Sequence, residues 1–373
     1  MCSNCKVQKK VFLEQIRRIE SSDSHKSNPN IYAHKPKFEP KKRVSLDTLA
    51  QLDHLEEKTT FQKDHNLKKR AQSKWITNQI LYPLIDLKSE LYSSYWDTYH
   101  CCKELTTSRV DGSKNEVQVK AKYYCKKRWC VVCNRIRTGI LLNKYKPHLD
   151  EIETRLVTLT TYKTKTCHTK QDLSDLVAEM KYKYGIIWRR VKRRYGTLTA
   201  LRKLEVTYNH KNDHFHPHFH VILENNSDVA EYLVTQWNKE FPNNSLQAQD
   251  IGDVTPNSMM ELFKYFTKMW DVKEGSKKLV LPYPPQKMDD IFSVLQNKRI
   301  FQFYGVRIPN VDVEDFDTNE ATIIVSDNES EDMFTTGTWE WVQNMQTWIN
   351  SDTEVLLTLN ILDTLKIENK GVP

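Results

Sequence analysis

Apolar residues in the first part of the chain recur at helical spacing, and from about residue 155 strand and helix periods alternate. Leu46, Leu49, Leu52 and Leu55 open a helical pattern that covers residues 46–95. Ahead of it, residues 1–20 read as a short basic helix behind Cys2-x-x-Cys5, and residues 21–45, rich in Ser, Asn, Pro and Lys, as a linker. Arg155–Lys163 alternates as a strand. Lys170–Tyr195 is a long amphipathic helix ending in the basic run Arg189–Arg194. Ala200–Tyr208 and His214–Glu224 are strands, joined through the polar residues 210–213 as a hairpin. Asp228–Phe241 reads as a helix, Leu246–Val254 as a strand and Pro256–Trp270 as a last helix, with Pro256 near its first turn. The first six elements, β-α-β-β-α-β, match the split βαβ, ferredoxin-like plan. The expected fold class is therefore α+β, an antiparallel sheet with helices on one face and the other face free for a ligand.

Composition narrows the partner. The chain has 373 residues, of which 39% are hydrophobic, enough for a core and for two or three domains. Its net charge of +8 is unevenly spread. Two basic and 14 acidic residues follow Arg307, against 54 basic and 34 acidic residues up to it. A body this basic suits a polyanion such as DNA or RNA. The acidic stretch Asp312–Asp332 reads as a solvated surface or arm, and Trp339, Trp341, Val342 and Trp348 as a short packed helix. No stretch approaches the roughly 20 apolar residues of a membrane span. The polar, basic start is no secretory signal. A reducing, cytoplasmic compartment is expected, in which clustered cysteines hold metal rather than pair as disulfides.

Three clusters carry candidate chemistry. His214, His216, His218 and His220 stand at spacing two, so on a strand His216, His218 and His220 share a face while Phe215, Phe219 and Val221 point into the core. Imidazoles on one face, with Glu205 on the partner strand of the hairpin, form a divalent-metal site. Oxygen ligands and a phosphate substrate favour Mg²⁺ or Mn²⁺. On the last helix Glu261, Tyr265 and Lys268 fall on one face, a nucleophile with a base and a cation beside it, as covalent phosphoryl transfer requires. Cys125, Cys130 and Cys133, completed by Cys101 or Cys102 and with Cys102 taken as the fourth ligand, form a structural Zn²⁺ site. Lys126, Lys127, Arg128 and Arg135 around it, and Lys264 beside the tyrosine, are candidate phosphate contacts.

With these residues in place, the chain resembles the HUH endonucleases, and within them the replication initiators of rolling-circle plasmids, of the single-tyrosine type. Leu156–Thr161 is similar to their first strand motif, His216–Val221 to the histidine-hydrophobic-histidine motif and Lys264–Lys268 to the tyrosine motif. The likeness covers about residues 100–307. Val131 stands where the family often has Pro.

The resemblance implies nicking of one strand at a single-stranded or cruciform plasmid origin. Tyr265 becomes linked to the 5′-phosphate and a 3′-hydroxyl primer is released. His218, His220 and Glu205 hold the ion, with His216 as a further or alternative ligand. Glu261 activates water to end the cycle. It also implies a bacterial cytoplasm and a host helicase as partner. A single-tyrosine HUH transposase and a non-catalytic zinc-containing nucleic-acid-binding protein are the alternatives. The expected organisation is a basic extension over 1–95, a zinc module over 96–145, the catalytic domain over 146–307 and an acidic segment over 308–373.

Overall fold

A computed structural model describes residues 65–109, 116–161, 167–225, 228–242, 244, 246–255, 262–263, 269–272, 279–305, 321–324, 337–342 and 347–351. All fall within one compact unit, Leu49–Pro373. The expected helix and linker over 1–45 lie outside them, as do Leu46 to Leu55, Cys2 and Cys5.

The fold is mixed α+β, with antiparallel sheets. The first sheet holds β3 (Thr154–Thr160), β4 (Ala200–Asn209), β5 (His214–Glu224), β6 (Asp250–Asp253) and β9 (Phe301–Tyr304), in the order β6-β3-β5-β4-β9 with every pair antiparallel. Helix α4 (Lys170–Tyr195) leads from β3 to β4, and α5 (Val229–Glu240) from β5 towards β6. The expected fourth strand starts late, because Leu246–Ala248 forms a 3-10 turn before β6.

Local signals explain why these elements sit where they do. Thr169 accepts from the Asp172 amide while the Asp172 carboxylate accepts from the Thr169 amide, a reciprocal cap that starts α4. Gly196, at φ +86°, ends it. Between them Leu173, Leu176, Val177, Met180, Tyr184, Ile187 and Val191 form one buried stripe. That stripe, with Trp237 of α5, packs on Val157, Leu159, Leu204, Phe215, Phe219 and Val221. A side chain at Gly305 (φ +85°) would meet the Leu198 carbonyl at 2.5 Å, so only glycine closes β9 this tightly.

The opposite sheet face is also covered. Leu201 and Ile222 pack there with Leu141 and Leu149 of α3 (Val131–Asp150), and with Leu262 and Phe263. The expected free face is thus free only in part. Of the expected helix Pro256–Trp270, Leu262 and Phe263 are helical, Trp270 opens strand β7 (Trp270–Val272, paired with β8, Leu279–Pro282), and residues 256–261 and 264–268 lie outside the described residues.

The second sheet has the order β10-β2-β1-β11-β12. It joins β1 (Glu104–Arg109) and β2 (Glu116–Ala121) to β10 (Ala321–Ile324), β11 (Gly337–Val342) and β12 (Thr347–Asn350). The helix expected at Trp339–Trp348 is therefore a β-hairpin. Trp339, Trp341 and Trp348 face Leu105, Val119 and the cysteines, and the alternation of Thr338 and Glu340 (exposed) with Trp339 and Trp341 (buried) is the period-two signal of a strand. Helix α1 (His65–Asp86) packs against α2 (Tyr92–His100), α3 and α6 (Pro285–Leu295) and reaches β10, and α6 also packs against α4. Asp289 of α6 accepts from Ser89 and Tyr95, each at 2.6 Å.

Candidate metal and nucleophile site

The β4–β5 register places Glu205 opposite His218 and Lys203 opposite His220. Because side chains alternate along a strand, all four residues share one face, away from Phe219 and Leu204. One ligand atom from each of Glu205, His218 and His220 falls within 4.8 Å of the others. Nε2 of His220 is 3.7 Å from the Glu205 carboxylate. Glu205 and His218 are buried, and His220 keeps 26% of its side chain exposed, so the site opens on that side.

The rings are held in one sense. His218 Nδ1 lies 3.1 Å from the His216 carbonyl oxygen. A carbonyl only accepts, so His218 carries its proton on Nδ1 and presents the Nε2 lone pair. Thr158 Oγ1 meets His220 Nδ1 at 3.2 Å, which likewise leaves Nε2 for an ion. Burial would raise the Glu205 carboxyl, but Lys203 and the two imidazoles outweigh it and hold the group at about 2. Burial holds His218 down to about 4, against the pull of Glu205. A charged carboxylate with a neutral imidazole fits the donor set of a divalent cation.

His216 stands apart from this group. Its Nε2 is hydrogen-bonded to Thr160 Oγ1, and its ring stacks on His218 at 5.2 Å. It stacks on the His218 ring and is not among the three residues whose ligand atoms gather. The sequence reading also passed over Lys203. This ammonium, with 2% of its side chain exposed, donates to Glu205 Oε2 at 3.0 Å. Its signal was present, since Lys203 sits two residues from Glu205 and so on the same face of the strand.

The cysteines form a second group. Cys101, Cys125, Cys130 and Cys133 are all buried and bring their sulfurs together, with Sγ–Sγ distances of 3.4, 3.6 and 3.7 Å. A tetrahedron of metal–sulfur bonds of about 2.3 Å has edges of about 3.8 Å, so the four thiols fit a tetrahedral ion such as Zn²⁺. Amides point at the sulfurs, from Cys125 to Cys101 and from Lys126 to Cys133, both at 3.3 Å. Burial raises the Cys101 thiol. It acts on Cys130 as well, but hydrogen bonds from the other three thiols hold Cys130 well below its ordinary value. Burial lowers the pKa of Lys74 and of the half-buried Arg137, and the nearby sulfurs pull both back towards the charged form.

The fourth member is thus Cys101. Cys102, expected in that role, turns away at φ +56°; its amide bonds to the Tyr123 carbonyl and its own carbonyl accepts from the Trp348 indole. Two adjacent cysteines cannot both face the cluster, and backbone direction selects the first.

The expected phosphate contacts are largely engaged within the chain. Arg128 donates to the carbonyls of Leu295 and Lys298 at the end of α6, at 3.0 and 2.6 Å. Arg135 donates to Ser73, and Lys127 pairs with Asp97 at 3.7 Å. Lys126 offers its backbone carbonyl to Arg137. Lys264, Glu261, Tyr265 and Lys268 lie outside the described residues. Phe263, two residues before Tyr265, is described and buried at the edge of the sheet face that carries the histidines.

An antiparallel sheet thus carries a His-His-carboxylate group, and the same chain holds a buried four-thiol cluster, two groups that could each hold a metal ion. Residues 116–349 match the replication protein family, and the chain belongs to that family. The resemblance to the Rep proteins of rolling-circle plasmids is borne out. Among curated relatives, the chain is similar to a "Protein rep" of Staphylococcus aureus, 26% identical over 185 residues, covering 46% of this chain and 76% of that one. It is similar to a "Protein rep" of Streptococcus pneumoniae serotype 2 (strain D39 / NCTC 7466), 25% identical over 222 residues, 53% of this chain and 64% of the relative. A "Protein rep" of a Bacillus species is 27% identical over 128 residues, 33% of this chain and 40% of the relative. The chain thus spans less than two thirds of the latter two. No solved structure matches the chain at comparable significance. The family match runs from the start of β2 into β12, so the hairpin beyond the acidic stretch belongs to it. No helix among the described residues is long and apolar enough to cross a membrane.

Proposed function

We propose that the chain is a plasmid replication initiator that nicks one DNA strand at the origin through Tyr265. The single observation that carries this reading is the convergence of Glu205, His218 and His220, with both Nδ1 atoms committed elsewhere, on the sheet face against which Phe263 packs. The strand order β6-β3-β5-β4, with its two helical crossovers, supports a ferredoxin-like HUH core.

A divalent ion, Mg²⁺ or Mn²⁺, held by these three residues would polarise a non-bridging oxygen of the scissile phosphate. The phenolate oxygen of Tyr265 attacks phosphorus, the P–O3′ bond breaks, and O3′ takes up a proton to leave a 3′-hydroxyl primer. The 5′-phosphate stays on Tyr265. Lys268 and Lys264 offset charge on the phosphate, and Glu261 takes the proton of the water or 3′-hydroxyl that resolves the linkage. Single-stranded or cruciform origin DNA is the substrate, a host helicase the partner and the bacterial cytoplasm the place of action. The cysteine cluster holds Zn²⁺ as a structural ion. The organisation proposed is a basic extension over 1–95, a zinc module over 96–145 that recruits strands from the segment after 308, and a catalytic domain over 146–307.

The test is incubation with single-stranded origin oligonucleotides and Mn²⁺, followed by denaturing electrophoresis. A covalent adduct at the 5′ side of the cut is expected, absent in Tyr265→Phe. An adduct that persists in Tyr265→Phe would remove the assignment of the nucleophile.

A further inference from the structure

The strand that brings Lys203 and Glu205 to the metal face turns Arg202 the other way. The Arg202 guanidinium lies 4.8 Å from the ring centre of Tyr184, on α4, and 4.7 Å from that of Phe219. Only 5% of Arg202 is exposed, and its Nε has no hydrogen-bond partner among the described residues. Lys181 stands three residues before Tyr184, on the same face of α4. Across the β4–β9 ladder Arg202 faces Gln302, which accepts from Arg299 at 2.7 Å. Lys298 precedes Arg299, and Arg128 fixes that turn by donating to the carbonyls of Leu295 and Lys298. Five cations thus gather along β9, the edge strand of the first sheet. Burial lowers the Lys181 ammonium, and Arg202, Lys298, Arg299 and Arg128 act in the same direction. No carboxylate among the described residues pairs with any of the five, whereas Lys183, Arg190 and Arg194 of α4 pair with Glu179, Glu240 and Asp228. The basic run that ends α4 is partly neutralised; the cations around Tyr184 are not.

The geometry points to a second DNA contact, a binding site for backbone phosphates formed by Lys181, Lys298 and Arg299 over Arg202, on the side of the sheet away from the metal site. The inference rests on the reading of DNA as the substrate. A merely solvated basic surface would leave its arginines in water. Here Arg202 is stacked and nearly enclosed, Lys181 and Lys298 are half-buried, and Arg299 is exposed. Like charges held together at this depth cost stability until an anion meets them. The cations come from a helix face and a strand edge, with no helix N-terminus among them, so no bed of amides cradles a single free phosphate. A polymer that meets several cations at once, and releases the counterions along its own backbone, gains more. Contacts of this kind hold a duplex in register without reading its sequence.

The experiment measures binding of the full chain to a fluorescent DNA duplex of mixed sequence over a salt series from about 50 to 200 mM. In Lys181→Gln/Arg299→Gln the slope of log affinity against log salt is expected to shrink by about 1.8, at about 0.9 for each phosphate contact removed. Lys183→Gln/Arg190→Gln removes two paired charges of the same helix and is expected to keep the parent slope. An unchanged slope in the first variant, or an equal loss in both, would overturn the site, the second by reducing the effect to net charge. Lys181→Gln alone is expected to melt no lower than the parent, because it relieves repulsion; a lower melting temperature would mean that the lysine is paired within the chain and would also overturn it. Inorganic phosphate is compared with chloride at equal ionic strength and is expected to add no thermal stability. A phosphate-specific gain that disappears in Lys181→Gln/Arg299→Gln, with the duplex slope unchanged, would give the site to free phosphate instead. The nicking assay stands apart from these measurements. A parent protein that binds the duplex but cuts no strand would lose the nicking reading and keep the site, while one that binds no duplex would lose the site and leave nicking to be decided by its own assay.

Discussion

The hydroxyl of Thr158 lies 3.2 Å from Nδ1 of His220, directly across the β3–β5 ladder. This contact fixes which nitrogen of His220 faces Glu205. Replacing Thr158 by Val keeps the shape and removes the partner. Mn²⁺ affinity, read by titration calorimetry, is expected to weaken about tenfold, the usual effect of losing a group that orients a metal-bound imidazole. Equal affinity in the two proteins would mean that the ring is oriented by packing alone.

Lys203 and Glu205 form a buried ion pair within the same site. In Lys203→Met the carboxylate loses its nearest cation. The metal-free protein is expected to be less stable by about 3 kcal/mol in urea denaturation, the scale for breaking a buried pair on one side. Mn²⁺ is then expected to raise the melting temperature more than it does in the parent, because the ion no longer competes with an ammonium. A smaller rise would count against that competition.

Acid should weaken the metal-free protein in two stages. His218 is held at about 4 against an ordinary 6.5, so below about pH 6.5 the unfolded chain takes up a proton that the folded chain refuses. Stability is therefore full above about pH 6.5 and falls as the pH drops towards 4. Glu205, at about 2 against an ordinary 4.5, adds stability above about pH 4.5 that is lost as the pH falls towards 2. Denaturation in chelator at a series of pH values checks this. In His218→Phe the first stage is expected to shrink; His216, also held at about 4 by burial, keeps the remainder.

The two adjacent cysteines are separated by metal content. Cys101→Ser is expected to lower bound Zn²⁺, measured by a colorimetric chelator after unfolding, whereas Cys102→Ser retains it. Loss in Cys102→Ser alone would reverse the assignment drawn from the sulfur positions.

The boundaries of α4 and β5 were legible in the sequence because each carries its own signal. For α4 these are a reciprocal cap, a 3.6-residue apolar stripe and a terminal glycine; for β5, His at every second position from His214 to His220, alternating with Phe215, Pro217 and Phe219. The pairing of Glu205 with His218 was legible because a tight turn fixes hairpin register. The Trp339–Trp348 segment was misjudged as a helix, since aromatic residues spaced by two to seven positions satisfy either period until a partner strand is known.

The sequence by itself determined the strand that presents the histidines, the carboxylate facing them and the cysteines that gather, because these depend on alternation and short spacing. Only the tertiary structure decided that Cys101 rather than Cys102 completes the thiol group, that His216 bonds to Thr160 outside the group formed by Glu205, His218 and His220, and that Lys203 pairs with Glu205. It alone paired β11 with β1, more than 200 positions away in the chain, and β12 with β11, and set Phe263 against Tyr145. Those outcomes turn on backbone direction and on contacts between distant segments, which no local pattern of residues encodes.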